Sequence, residues 1–447
     1  MGNSSFTSMF LGCLLTGLRF AAADPPSTLP APPPPPTGEP AFDASQHLTG
    51  DWFGLRSDLF QHGISIDPFL INDYSKNFIG GLNTHGDSFR QRFNLSLDID
   101  TEKLFGWPGG DFRAVYQLQH GGNASQMLTG DAQNFSFGTD ADGRSQIGQL
   151  WYEQKFFDDT FRIRVGKQDA NTDFDALADD AEFINNSYST SPTLYLMPSF
   201  PDTAMGIQAF FEPPSGFYLG SGVFDGSGAR GVRTGEYGPR HFFDQPDDLF
   251  LIAEFGQHYK LHVVDRHFPG TLGIGGWYDT NHFQRLDGIG SQSGTGGVYL
   301  ILDQLLWKPW HERPVAAGPP GENLVSEEVE EEYPNGIAAS FSVSWEDPVV
   351  NRIDGNALLG LSWTGPIPSR KTDVLGFGPT YAHFAAAALT RNNYELAIET
   401  FYQIRFTDYL SLKPDLQYII HPSGSGTFDQ PPIQNALVFT MRLEMAF

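Results

Sequence analysis

The sequence predicts an all-β chain, a closed antiparallel transmembrane β-barrel of about sixteen strands with a short N-terminal helix. Three observations carry this. Aromatic residues make up 14% of the 447 residues and Gly contributes 49, a composition rich in strand and turn formers. Segment after segment alternates large apolar residues with charged ones at period two. The chain also closes on such a segment, with Phe447 as its last residue.

That final stretch, "NALVFTMRLEMAF" (435–447), places Leu437, Phe439, Met441, Leu443, Met445 and Phe447 on one face. Val438, Thr440, Arg442, Glu444 and Ala446 take the other. The same period recurs upstream. "SFRQRFNLSLDID" sets Phe89, Phe93, Leu95 and Leu97 against Arg90, Arg92, Asn94 and Asp98. "DFRAVYQLQ" sets Phe112 and Tyr116 against Arg113 and Gln117, and "TFRIRVG" sets Phe161, Ile163 and Val165 against Arg162 and Arg164. "NYELAIETFYQIRF" sets Leu396, Ile398 and Ile404 against Glu395, Glu399 and Arg405. A strand of this kind lies between two media.

A soluble sandwich alternates as well, and three details favour lipid on the apolar side. The polar parity is densely charged with Arg and Glu. Many segments run past the usual globular strand length. Aromatics (Phe89, Tyr394, Phe406, Phe447) gather near strand ends, where interfacial girdles stand.

Candidate strands fall near 64–74, 89–100, 112–120, 148–157, 161–168, 204–211, 217–224, 249–259, 271–279, 297–307, 337–346, 356–364, 374–381, 394–406, 410–420 and 436–447. Closure is required because an open edge in hydrocarbon leaves backbone groups unpaired at several kcal/mol each. With a periplasmic N-terminus, the odd connections should be the long ones. Those after strands three, five, seven and nine are long, and those after four, six and fourteen ("DDT", "EPPSG", "TDY") are tight. The even connection 308–336 breaks the rule, being long, acidic and rich in Pro and Gly. Ahead of the barrel, Trp52, Leu55 and Leu59 recur at helical spacing, and Gly63 is placed to end a short helix.

Residues 1–23 read as a signal peptide: "SMFLGCLLTGL" is too short to span a membrane, and Ala21-x-Ala23 precedes Asp24. "LGC" also resembles a lipoprotein box. Residues 24–45 form a proline-rich extended tether, and 46–447 the barrel domain. Cys13 is the only cysteine, so the mature chain has no disulfide. A formal net charge of −26 excludes nucleic acid as a partner.

Seven stretches in one order then resemble a known family: "HLTGDWFGLRSDLFQHGISID" (47–67), "SLDIDTEKLFGWPGGDF" (96–112), "LWYEQKFFDDTFRIRVGKQDANTDF" (150–174), "SGVFDG" (221–226), "YLILDQLLW" (299–307), "LSLKPDLQYIIHP" (410–422) and the terminal strand. They are similar to the carbohydrate-selective porin (OprB) family, across nearly the whole mature chain. The resemblance implies a sixteen-stranded barrel in the bacterial outer membrane that passes small carbohydrates by diffusion, without cofactor or catalysis. It also implies that Phe447 acts as the signal read by the outer-membrane assembly machinery. Beyond that machinery the partners are membrane lipid and, with oligomeric state left open, further copies of the chain.

A channel for sugars must replace hydroxyl hydration with fixed donors and acceptors while binding weakly enough to release. Arg and Glu supply fork donors and multiple acceptors. The charged parity therefore nominates Arg90, Arg92, Arg113, Glu153, Arg162, Arg164, Glu395, Glu399 and Arg405 as pore-lining or sugar-binding groups, with Trp151 as a stacking surface beside Glu153. In porins the third extracellular loop commonly folds inward, and by the strand count the resemblance implies this for 169–203. Its acids Asp173, Asp175, Asp179, Asp180 and Glu182 make either a negative mouth or a solvated, cation-bridging surface. "DDAEF" as a glycosidase pair and His258, His262 and His267 as a metal site are weaker readings, and no catalytic or metal residues are assigned. Two alternatives stay open: a general diffusion porin with cation preference, and a secreted all-β carbohydrate-binding or hydrolysing protein.

Overall fold

The computed structural model describes residues 42–138, 143–177, 182–236, 243, 248–263, 266–309 and 336–447. The expected leader, most of the tether, Asp179 and Asp180, and nearly all of the connection 308–336 lie outside this set.

Sixteen strands follow in chain order: β1 (Ile64–Gly81), β2 (Asp87–Asp100), β3 (Gly110–His120), β4 (Arg144–Phe156), β5 (Phe161–Gln168), β6 (Ala204–Phe211), β7 (Phe217–Asp225), β8 (Leu249–Val263), β9 (Arg266–Gln284), β10 (Ser291–Trp307), β11 (Gly336–Glu346), β12 (Ile353–Thr364), β13 (Val374–Phe384), β14 (Tyr394–Thr407), β15 (Leu410–Ile420) and β16 (Gln434–Ala446). Each pairs antiparallel with its neighbour, and β1 pairs with β16, so the sheet closes on itself without an edge. Closure satisfies the ladder that hydrocarbon would otherwise leave unpaired.

The two faces sort as the parity predicts. Along β7, Phe217, Leu219 and Val223 point out and are exposed, while Tyr218 and Phe224 point in and are buried. Leu95 is exposed on the outer wall beside partly exposed Phe93, and Phe439 and Leu443 are partly exposed on β16. Arg90 and Arg442 are buried on the inside. A charged row crosses the closing seam at one level. Asp73 on β1 is in register with Arg90 on β2 and Arg442 on β16, and Arg442 is in register with Lys413 on β15. Arg442 grips Asp73 through Nε and Nη2, both at 2.9 Å.

The tight connections 157–160, 212–216 and 408–409 join the strands at the end that carries both termini. One expectation is corrected. The connection after β9 is only 285–290, because β9 and β10 pair well past the expected limits, out to Gln284 and Ser291. The strand count is sixteen, which leaves 308–336 on the side of the short connections despite its length.

Helix α1 (Leu55–Gln61) lies where Trp52, Leu55 and Leu59 predict it, and Gly63 follows at φ +79°, a left-handed conformation that suits glycine. Asp51 accepts the Ser57 N–H at 2.7 Å and so caps the first turn. From this helix, buried Arg56 reaches the end of the chain. It donates to the Phe447 carbonyl oxygen at 2.7 Å, to the Ile66 carbonyl at 2.8 Å and to Asp67 at 2.9 Å. Phe42 and Trp52 each lie 4.8 Å below its guanidinium. Residues 42–45, assigned by sequence to the tether, thus belong to this cap. Phe42 stacks on His47, and Leu48 N–H bonds to Ala446 O at 2.9 Å. The segment pins the C-terminus of β16 to β1. Arg56→Ala should therefore lower the stability of the folded barrel by about 2 kcal/mol, read as a lower temperature for loss of the folded, fast-migrating band on gels. An unchanged transition would show that the cap does not hold the seam.

Candidate functional site

Two inward loops cross the lumen, A, described over 121–138 and at 143, and B, described over 169–177 and 182–203. Inside a barrel their backbone N–H groups need acceptors, and carboxylates on the inner wall supply them. Glu399 on β14 accepts from Ile184 N at 2.7 Å and Asn185 N at 3.0 Å in loop B. Four residues along the same face, Glu395 accepts from Ala132 N at 2.7 Å and Gln133 N at 3.0 Å in loop A, and from Ser423 N at 2.6 Å. On the opposite wall Glu254 of β8 accepts from Asp175 N at 3.0 Å, Tyr218 OH at 2.8 Å and Tyr299 OH at 2.6 Å. The loops also join each other: Phe137 N donates to Ile184 O at 2.5 Å and Asn186 N to Asn134 O at 2.9 Å.

Apolar packing holds loop B on two sides. Phe183 and Tyr188 bury against Leu358, Val374 and Phe401 of β12 to β14. Phe174, Leu194 and Met197 bury against Phe210, Phe224, Phe250, Ile252 and Trp277 on the inner faces of β6 to β9. Each such side chain contributes roughly 2 kcal/mol of transfer free energy. That wall is dry.

A charged network borders this wall on β4 and β5. Arg162 Nη1 lies 3.1 Å from Glu153, its Nη2 2.8 Å from Asp173 and its Nε 3.3 Å from Glu212. Arg164 bonds Glu153 at 2.8 Å and Asp173 at 2.6 Å. The two guanidinium groups lie over Phe210 at 4.2 Å and Trp151 at 4.4 Å respectively. Across the lumen Glu182 of loop B meets Arg405 at 2.8 Å and Lys413 at 2.7 Å. Nearer the terminal end, half-exposed Arg113 and Asp98 pair at 3.2 Å.

All ten residues nominated by the sequence face inward, but not equally toward water. Arg90, Glu395 and Glu399 are fully enclosed, and the two glutamates hold loops. Arg92, Arg113, Arg162 and Arg405 keep partial exposure, whereas Trp151, Glu153 and Arg164 are nearly covered. Among the described acids of loop B, Asp173 and Glu182 turn to wall cations and Asp175 is buried. These three thus make neither a negative mouth nor a solvated surface. Sequence reasoning missed loop A, although its length matches that of an inward loop, and it missed Asp73, Lys413 and Gln208, which complete the networks. Arg442 stood on the charged parity of the last strand without being nominated.

The comparisons with known proteins accord with this architecture. Residues 84–447 match the family model described as "Carbohydrate-selective porin, OprB family". The chain belongs to the carbohydrate-selective porin (OprB) family. Porin B of Pseudomonas aeruginosa is 23% identical over 453 residues, covering 90% of this chain and 92% of that protein. The high-pH structure of Pseudomonas putida OprB superposes with a TM-score of 0.73 at 19% identity, covering 91% of this chain and all of the other. Its low-pH structure gives 0.56 at 18%. The chain is thus an outer-membrane porin.

Two consequences of the loop anchoring in this porin are measurable. Glu399→Ala removes the acceptor for two loop-B N–H groups, so single-channel current should become noisier and larger. Current unchanged in size and noise would mean that loop B is held without Glu399. Asp175 offers a pH test. Burial pushes its carboxyl up to about 7, against the Ser191 N–H that favours its charge and with help from Glu254. A carboxyl raised in the folded state binds more protons there than when unfolded, so its contribution falls as pH rises from about 4 toward 7. Asp175→Asn should raise the heat-denaturation midpoint more at pH 8 than at pH 5, and an equal or opposite effect would refute the assignment.

Proposed function

We propose that this porin passes mono- and small oligosaccharides by passive diffusion, as a channel without catalysis or cofactor. The arrangement that supports the reading best is the waist formed by Arg162, Arg164, Glu153 and Asp173 beside Trp151 and Phe210. A pyranose has hydroxyls around its rim and C–H groups on its faces. Paired guanidinium and carboxylate groups offer donors and acceptors at fixed positions, and mutual pairing removes the entropy of ordering them when solute arrives. Because each charge is already neutralised, a passing hydroxyl competes with an existing partner, which keeps binding weak enough for release.

Within this reading Arg113, Arg405 and Glu182 extend the polar track, and Glu395, Glu399 and Arg90 set its width by holding the loops. Phe447 serves as the assembly signal, and outer-membrane lipid surrounds the exposed Phe217, Phe341 and Trp345.

Liposome swelling decides between sugar preference and unselective diffusion. Glucose should enter several-fold faster than an amino acid of similar size, and Arg164→Ala, which removes a charge-assisted donor, should bring that ratio close to one. Equal rates for the two solutes through the unaltered protein would rule sugar preference out.

A further inference from the structure

Lumen arginines of this porin are neutralised almost one by one. Arg162 and Arg164 share Glu153 and Asp173, Arg113 has Asp98, Arg144 has Asp202, Arg405 has Glu182 and Arg442 has Asp73. Arg92 on β2 departs from the pattern. Among the described residues it has no carboxylate within 4.0 Å and no hydrogen bond, and its Nε is buried without an acceptor. Its guanidinium packs instead against apolar surface, with the Phe200 ring of loop B at 4.6 Å. Gly138 of loop A comes so close that a Cβ there would sit 3.0 Å from Nη1. Such packing fixes the group without using its N–H donors.

The surroundings carry matching vacancies in hydrogen bonding. Gln119, in register with Arg92 on β3, has a buried Oε1 without a partner, and so does Asn94 Oδ1 two residues along on the same face. The acids that act on Arg92 are engaged elsewhere: Glu444 by Ser411 and Gln403, Asp73 by Arg442 and Ser136, and Asp169 by the N–H groups of Asn171 and Phe200. A preoriented guanidinium with free donors matches a planar carboxylate best, because the two can pair through parallel hydrogen bonds. A neutral hydroxyl uses only one donor at a time.

We infer that Arg92, Gln119 and Asn94 form a subsite for the carboxylate of a sugar acid, an aldonate or uronate, so that the channel admits anionic sugars beside neutral ones. The inference rests on the sugar-channel reading. The carboxylate takes the Arg92 fork, and hydroxyls of the sugar donate to Gln119 and Asn94.

Uptake of radiolabelled D-glucuronate and D-glucose into proteoliposomes, measured side by side, tests it. Both should enter through the unaltered porin. Arg92→Gln should cut the glucuronate-to-glucose rate ratio about tenfold, with Arg92→Lys intermediate because it keeps charge but loses the fork. A second measurement needs no variant: glucuronate should slow glucose uptake more than glucuronamide, its neutral isostere, does. A rate ratio unmoved by Arg92→Gln, equal competition by acid and amide, or exclusion of glucuronate while glucose passes would overturn the subsite and leave the sugar channel standing. Exclusion of both sugars would overturn both.

Discussion

A carboxylate accepting backbone N–H groups is the interaction on which the channel depends. A sixteen-stranded cylinder alone would enclose a wide water column, and filling it requires irregular backbone whose donors cannot be left dry. Glu395, Glu399 and Glu254 resolve that conflict from fixed points on the wall. Each takes two or more donors, at least one of them a loop N–H, and each is at most 3% exposed. Sealed from water, these acceptors meet no competing donor, and the low dielectric around them strengthens each bond they accept.

Aromatic side chains of β6 to β9 and loop B form one dry mass, and smaller apolar clusters bury loop B against β12 to β14 and loop A against β14 to β16. Between these masses stand pairs of opposite charges, on β4 and β5 and on β14 to β16. The same pairing explains how a chain of formal charge −26 keeps so many arginines at its waist. Glu153, Asp173, Glu182 and Asp73 each neutralise cations on neighbouring strands, so the excess negative charge resides elsewhere.

Much of the fold was legible because strand period and membrane thickness are local constraints. Alternation in "SFRQRFNLSLDID" or "NALVFTMRLEMAF" assigns each side chain to lipid or lumen without reference to any other strand. The tight turns at 157–160 and 408–409 give the phase of the hairpins. The misjudged connection after β9 shows the limit. Residues 280–284 and 291–296 carry fewer large apolar groups, and pairing continues there without the alternation that reports it.

By itself, then, the sequence determined the closed all-β architecture and the inward set that includes Arg92, Arg164 and Glu399, whereas the inward fold of loop B was implied by the family resemblance. It could not say which inward charge holds a loop and which meets solute. Glu399 and Arg162 are equivalent in parity, yet one is sealed beneath Ile184 and Asn185 while the other keeps a wet edge. That division depends on where loops A and B cross the lumen, and so on contacts between residues more than two hundred positions apart. Only closure of the cylinder, with Asp73 against Arg442, brings such residues to one level.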